Sequence, residues 1–185
     1  MTPRLRIIPF RRKREGRTDY RKRRELLKAG APRIVVRPAL RNITAQLIEY
    51  RPEGDRVLAG VHSHALEERG YPVHKGNLPA AYLTGYLLGK KAVTKGITRA
   101  ILDTGTRTPI RGSRIYACVK GLLDAGVNVP VAEDQLPSGD RLRGEHIAAA
   151  TAPHARFTEY QRKKIDPRTI AQLVAKIKKN IEEAP

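Results

Sequence analysis

The stretch RIVVRPALRNITAQLIEYRPEGDRVLAGVHS, residues 33–63, decides the fold. It holds three runs that suit strands: Arg33 to Arg37, Asn42 to Tyr50 and Arg56 to Ser63. In the second, Ile43, Ala45 and Leu47 alternate with Thr44, Gln46 and Ile48, the period of two that sends successive side chains to opposite faces of a sheet. The cluster Pro52, Glu53, Gly54, Asp55 separates it from the third run, because these residues favour turns over ladders. An antiparallel meander follows.

On the C-terminal side the period changes. Leu78 to Lys95, with Pro79 in the first turn and Gly96 beyond the end, reads as a mostly buried helix, and Gly85 and Gly89, four apart, suit close helix packing. Ile97 to Leu102 is too short and too β-branched for a helix and reads as a fully buried strand. Ser113 is placed to cap a helix over Arg114 to Ala125 with Gly126 past its end, and Val127 to Val129 can add a last strand. Strands and helices in this order make an α/β layered core. Asp140 is placed to cap a brief helix. Further on, Asp166 and Pro167 open a helix whose Ile170, Leu173, Val174, Ile177 and Ile181 form an apolar stripe; the stripe needs a cover, either the core or a partner.

On the N-terminal side charge dominates. Of the net +19, residues 1–33 contribute +10, with 13 basic and 3 acidic residues, so the excess is local and implies a polyanionic partner. Residues 1–17, with Pro3, Pro9, Gly16, six Arg and one Lys, read as a disordered arm, since like charges with few apolar side chains bury too little surface to order themselves. A short helix then runs from a Thr18 cap to Ala29, with Gly30 in the left-handed position after it. The expected units are an arm and helix over 1–30, the core over 31–132 and a helical extension over 133–185.

The chain has 24 Arg against 13 Lys, and the planar guanidinium suits bidentate phosphate contacts. The run Arg11, Arg12, Lys13, Arg14, Arg17, Arg21, Lys22, Arg23, Arg24, interrupted only by Glu15 and Asp19, therefore points to nucleic acid, and Tyr20 within it can stack on an unpaired base or pack its own helix on the core. The loop Thr104 to Ser113, with Gly105, Arg107, Arg111, Gly112 and Ser113, precedes a helix N-terminus and reads either as a place suited to a phosphate or as an ordinary flexible connection. His62 and His64 share a strand face but lack further ligands nearby, so no metal and no cofactor is expected. One cysteine, Cys118, excludes a disulfide framework. The longest uncharged stretch, Gly76 to Gly89, is too short to cross a bilayer, and Ile7 and Ile8 run into Pro9 instead of a signal-peptide core; no membrane contact and a cytoplasmic location are expected. Asp103 at a strand end is the one carboxylate placed as in a metal-dependent nuclease, but no second acid matches it. That nuclease, and a general nucleic-acid-compacting protein, are the competing readings.

The segments REGRTDYRKR (Arg14 to Arg23), GNLPAAYLTG (Gly76 to Gly85) followed by GKKA, GSRIYACVKGLLDAG (Gly112 to Gly126) and RLRGEHI (Arg141 to Ile147) occur in order. Together they resemble the archaeal and eukaryotic type of large-subunit ribosomal protein eighteen, the 5S rRNA-binding family. The resemblance implies a mixed-sheet, ribonuclease-H-like core without catalytic carboxylates. It also implies binding to 5S rRNA, attachment of that RNA to the large 23S-type rRNA in the central protuberance of the ribosome, and contact with neighbouring ribosomal proteins, including the other 5S-binding protein. Carried onto this sequence, the RNA contacts expected are the arm from Arg11 to Arg24, then Arg41, Asn42, Thr44, His62, Ser63, Asn77, Lys90, Lys91, Arg111, Ser113 and Arg114. Affinity is then expected to reside in the arm, whose ordering is coupled to binding, and specificity in the core.

Overall fold

A computed structural model describes residues 8–150 and 157–183. Three strands, β1 (Arg33–Pro38), β2 (Ile43–Glu49) and β3 (Arg56–His62), form the expected meander, and β4 (Ile101–Asp103) joins β1 in parallel, giving the order β3-β2-β1-β4. The register pairs Arg37 with Thr44 and Thr44 with His62, and a bulge at Leu47/Ile48 lets β3 slip by one residue toward its start. Ile34, Val36, Ile43, Ala45, Leu47, Ala59 and Val61 are buried on one face, as the alternation requires.

That face is covered by α4 (Leu78–Val93), which follows the one-turn helix α3 (Ala65–Glu68) and packs on β2 and β3, and by α5 (Arg114–Asp124), which packs on α4 and β1. Helix α4 is buried almost all round, and the close approach of the two helices depends on glycine: a Cβ at Gly85 would strike the Cys118 carbonyl oxygen, and one at Gly121 the Tyr82 carbonyl oxygen. The small helices α6 (Gly139–Arg143), α7 (Glu145–Ala148) and α8 (Thr158–Arg162) lead to α9 (Ile170–Glu183), which packs on α4. Its Ile170, Val174, Ile177 and Ile181 are buried in the same apolar cluster as the sheet, so the stripe covers the chain's own core. Burying each such side chain contributes roughly 1.5–3 kcal/mol. Asp166 opens this segment as expected, accepting from the Arg168 amide ahead of a short 3-10 turn over Pro167–Thr169.

Several local expectations are corrected. Within the arm, residues 1–7 lie outside the described residues, but Arg11–Arg14 form a helical turn, α1, closed by bonds from the Arg17 and Thr18 amides to the Arg12 carbonyl. Helix α2 (Tyr20–Lys28) is capped by Asp19, whose carboxylate accepts from the Arg21 and Lys22 amides, because Thr18 Oγ1 is already engaged by Arg12 Nε at 2.9 Å. Gly30 does take a positive φ, +62°. Strand β4 is shorter than Ile97 to Leu102 and only half-buried, since it is an edge strand of three residues. Val127 to Val129 contributes a single parallel bridge, Arg99 to Asn128, and not a strand. Ser113 and Ser138, not Asp140, stand at the N-caps of α5 and α6, and neither side chain makes a cap bond.

Candidate nucleic-acid interface

The outer face of the sheet carries Arg33, Val35 and Arg37 from β1, Thr44, Gln46 and Ile48 from β2, and Gly60 and His62 from β3. Near the start of β1 this face is closed by α2. Arg33 is 2% exposed, and a guanidinium taken out of water must be paired and hydrogen-bonded to be tolerated. Its Nη1 donates to Asp103 Oδ2 at 2.6 Å and its Nη2 to Asp55 Oδ2 at 2.9 Å; the other Asp55 oxygen accepts from Arg23 Nη2 at 2.8 Å. Asp55 is thus the joint between helix and sheet. Burial would raise its pKa, but the hydrogen bonds from Arg23 and Arg33 outweigh that and hold the carboxyl below its ordinary value; the same bond, more than the burial that opposes it, raises the Arg23 guanidinium. Lys22 Nζ adds a bond to Thr104 Oγ1 at 2.7 Å.

Between α2 and the sheet lies a cleft of about 360 Å³. It is lined by Arg12, Arg17, Lys22, Arg23, Arg37 and Arg107 among others, so the arm and the outer face of the sheet are two walls of one positively charged groove. Arg11 and Arg17 each pair with Glu15, at 2.7 and 3.1 Å. Lys13, Arg14 and Arg21 make no ion pair among the described residues. Arg24 pairs only with the adjacent Glu25, on the exposed surface. Beyond the cleft the outer face stays open and polar: Arg37 Nη1 donates to Gln46 Oε1 at 3.2 Å, and Thr44 and His62 sit opposite one another in the next row.

The remaining expected contacts are scattered. Arg41 is exposed and Asn42 half-buried at the β1–β2 turn, and Arg114 braces that turn from α5, its Nη1 donating to the carbonyls of Ala39 at 2.7 Å and Gly76 at 3.0 Å. Ser63 is fully buried and continues the ladder, its hydroxyl accepting from the Ile43 amide, so it is a sheet residue and not a surface one in this conformation. Asn77 caps α4 through the Ala80 amide and also accepts from the Tyr71 hydroxyl. Arg111 is exposed and pairs with Asp134 at 2.9 Å. Ser113 Oγ is buried with no partner among the described residues. Lys90 and Lys91 lie on α4, on the helical side of the sheet, Lys90 Nζ standing 5.3 Å from the Tyr86 ring centre. His62 Nδ1 accepts from the His64 amide, and no group of three metal-ligating side chains occurs among the described residues.

Asp103 is the decisive correction to the nuclease reading. One of its oxygens is held by Arg33 and the other accepts from the Gly105 amide at 2.9 Å; its role is to balance a buried cation. Sequence reasoning missed Arg33 and Asp55 altogether. Alternation does set Arg33 in phase with Val35 and Arg37, but its two partners lie 70 and 22 residues away, and no local pattern couples them.

The family described as ribosomal large subunit proteins 60S L5 and 50S L18 matches residues 6–98. Over 186 residues the chain is 42% identical to the large ribosomal subunit protein uL18 of Thermofilum pendens, covering 96% of this chain and 95% of that one. Over 172 residues it is 47% identical to the uL18 of Korarchaeum cryptofilum, covering 89% and 88%. Agreement at this level along nearly the whole of both sequences leaves no room for a local likeness only: the chain belongs to the large-subunit ribosomal protein family of 60S L5 and 50S L18, in its archaeal type.

Proposed function

We propose that this protein binds 5S rRNA and helps attach it to the large 23S-type rRNA in the central protuberance, beside the other 5S-binding protein. As a member of its family it is a structural constituent of the large ribosomal subunit and not an enzyme. The observation that carries the RNA contact is the groove between α2 and the sheet, where Arg12, Arg17, Lys22, Arg37 and Arg107 converge, beside Lys13, Arg14 and Arg21 of the arm, which make no ion pair among the described residues. Phosphates supply the missing charge, and the open row of Thr44 and His62 supplies short polar side chains of the kind that read 2′-hydroxyls and base edges. In this reading the core is of the ribonuclease-H-like kind; an antiparallel meander joined by a parallel fourth strand supports it, as does the neutralised Asp103.

Binding of the full chain to 5S rRNA and to an unrelated structured RNA, titrated with salt, tests the proposal. With about six to ten phosphates neutralised, affinity for both should fall ~10³ to 10⁵ between 50 and 200 mM salt, with 5S rRNA preferred throughout. Deleting residues 1–17 should weaken both about equally. A flat salt response, or no preference for 5S rRNA, overturns the proposal.

A further inference from the structure

Seven tyrosines and two phenylalanines make up the aromatic residues. Tyr71, Tyr82, Tyr86, Tyr116 and Tyr160 are buried, and Phe157 is half-buried against Tyr160. Tyr50 is exposed but lies under the Arg23 guanidinium, 6.0 Å away. Phe10 and Tyr20 are different. They are 74% and 36% exposed, yet they face each other with ring centres 5.4 Å apart and planes tilted by 53°.

The pairing is built, because the chain between the two rings is closed on itself. The Lys13 and Arg14 amides bond the Phe10 carbonyl, the Arg17 and Thr18 amides bond the Arg12 carbonyl, and Arg12 Nε holds Thr18 Oγ1. These bonds fold the segment so that the residue before α1 meets the first residue of α2. What lies on the pair is decided by charge: Arg11 to Arg24 hold nine basic residues against Glu15 and Asp19. Arg24 stands four residues after Tyr20 within α2, the helical spacing that sets side chains side by side, and Arg14 closes the helical turn that Phe10 opens. An exposed aromatic pair within a segment so rich in guanidiniums fits a ligand with a flat hydrophobic face and an anionic backbone, which is an unpaired nucleotide. A paired base does not fit, since its faces are covered by its neighbours in the stack.

We infer that Phe10 and Tyr20 form a preorganised stacking platform for an unpaired RNA base, with Arg14, Arg21 and Arg24 taking the flanking phosphates. The inference rests on the RNA-binding function proposed above and adds to it a preference for single-stranded nucleotides at the arm. The test compares the full chain with a Phe10→Leu, Tyr20→Leu variant, which keeps every charge, on a short oligouridine and on an RNA duplex with the same number of phosphates, by fluorescence anisotropy. The variant should bind oligouridine about 5- to 150-fold more weakly, the range expected for loss of stacking on one base, and the duplex unchanged. A Phe10→Tyr, Tyr20→Phe exchange, which keeps both rings, should bind both probes like the original chain. An equal loss on both probes, which is what mere misplacement of the arm would produce, overturns the platform, as does no loss on either. Failure of the unaltered chain to bind either RNA overturns the RNA-binding reading itself, and the platform with it.

Discussion

Asp55→Asn is the substitution that most directly probes how α2 is held to the sheet. The carboxylate accepts one charge-assisted hydrogen bond from each of Arg23 and Arg33, at 2.8 and 2.9 Å. Asparagine keeps one acceptor, turns an amide donor toward the other guanidinium, and removes the charge. A hydrogen bond to a charged group contributes about 1.5–3 kcal/mol. Because the Asp55 side chain is 30% exposed and Arg33 keeps Asp103 as a partner, solvent screening reduces the expected loss to about 1–2 kcal/mol. In a chain of this size that lowers Tm by about 2–8 °C. The effect has a pH signature. The folded pKa of Asp55 is depressed, so its contribution is fully present above the unfolded carboxylate value of about 3.9 and is lost as pH falls through the lower folded value. Asparagine does not titrate, so the gap between the two proteins should persist at neutral pH and close in acid, below about pH 4. Thermal melts followed by circular dichroism across pH, with hydrogen exchange of the amides from Tyr20 to Lys28, measure both effects. Equal Tm values at neutral pH with unchanged protection of α2, or a gap that stays constant into acid, would refute the reasoning.

Three further outcomes follow from the same geometry. Gly85→Ala drives a methyl group into the Cys118 carbonyl oxygen; as the obstacle is backbone, α4 and α5 must separate, and the urea midpoint should drop by an amount equivalent to about 1–3 kcal/mol or more. Ile177→Ala empties a site that is 1% exposed and should cost about 2–5 kcal/mol of global stability, read as a lower midpoint of one cooperative transition; an unaffected core transition would show that α9 is not part of it. Asp103→Asn should lower Tm by removing one of the two carboxylates that pair with the buried Arg33 while neither protein cleaves structured RNA in magnesium, and cleavage by the unaltered chain that this substitution abolishes would restore the nuclease reading.

Much of this molecule is legible in its sequence, because the relevant signals are local. The period of two across Ile43 to Ile48 and the turn at Pro52 to Asp55 specify a meander, and the structure places β1 to β3 within a residue or so of the expected bounds. Gly85 and Gly89 announce close helix packing because only glycine leaves room for it. The unbalanced basic run points to a polyanion as partner because its charge excess is local to one segment of the chain. Cap positions are less secure: Thr18, Asp19, Ser113, Ser138 and Asp140 are all competent N-caps, and which one serves depends on where neighbouring bonds have already drawn the side chains, as Arg12 does with Thr18.

What only the tertiary structure decides is which distant groups meet. The apolar stripe of α9 demands a cover but does not specify one; packing supplies α4. The charge of Asp103 looks catalytic until the parallel pairing of β4 with β1 sets it beside Arg33. The ring of Phe10 looks like part of a disordered arm until the turn after α1 lays it on Tyr20. Periodicity and propensity act over a few residues and can be read along the chain, whereas an ion pair or a ring contact between segments exists only once strand register and crossover have fixed their separation in space.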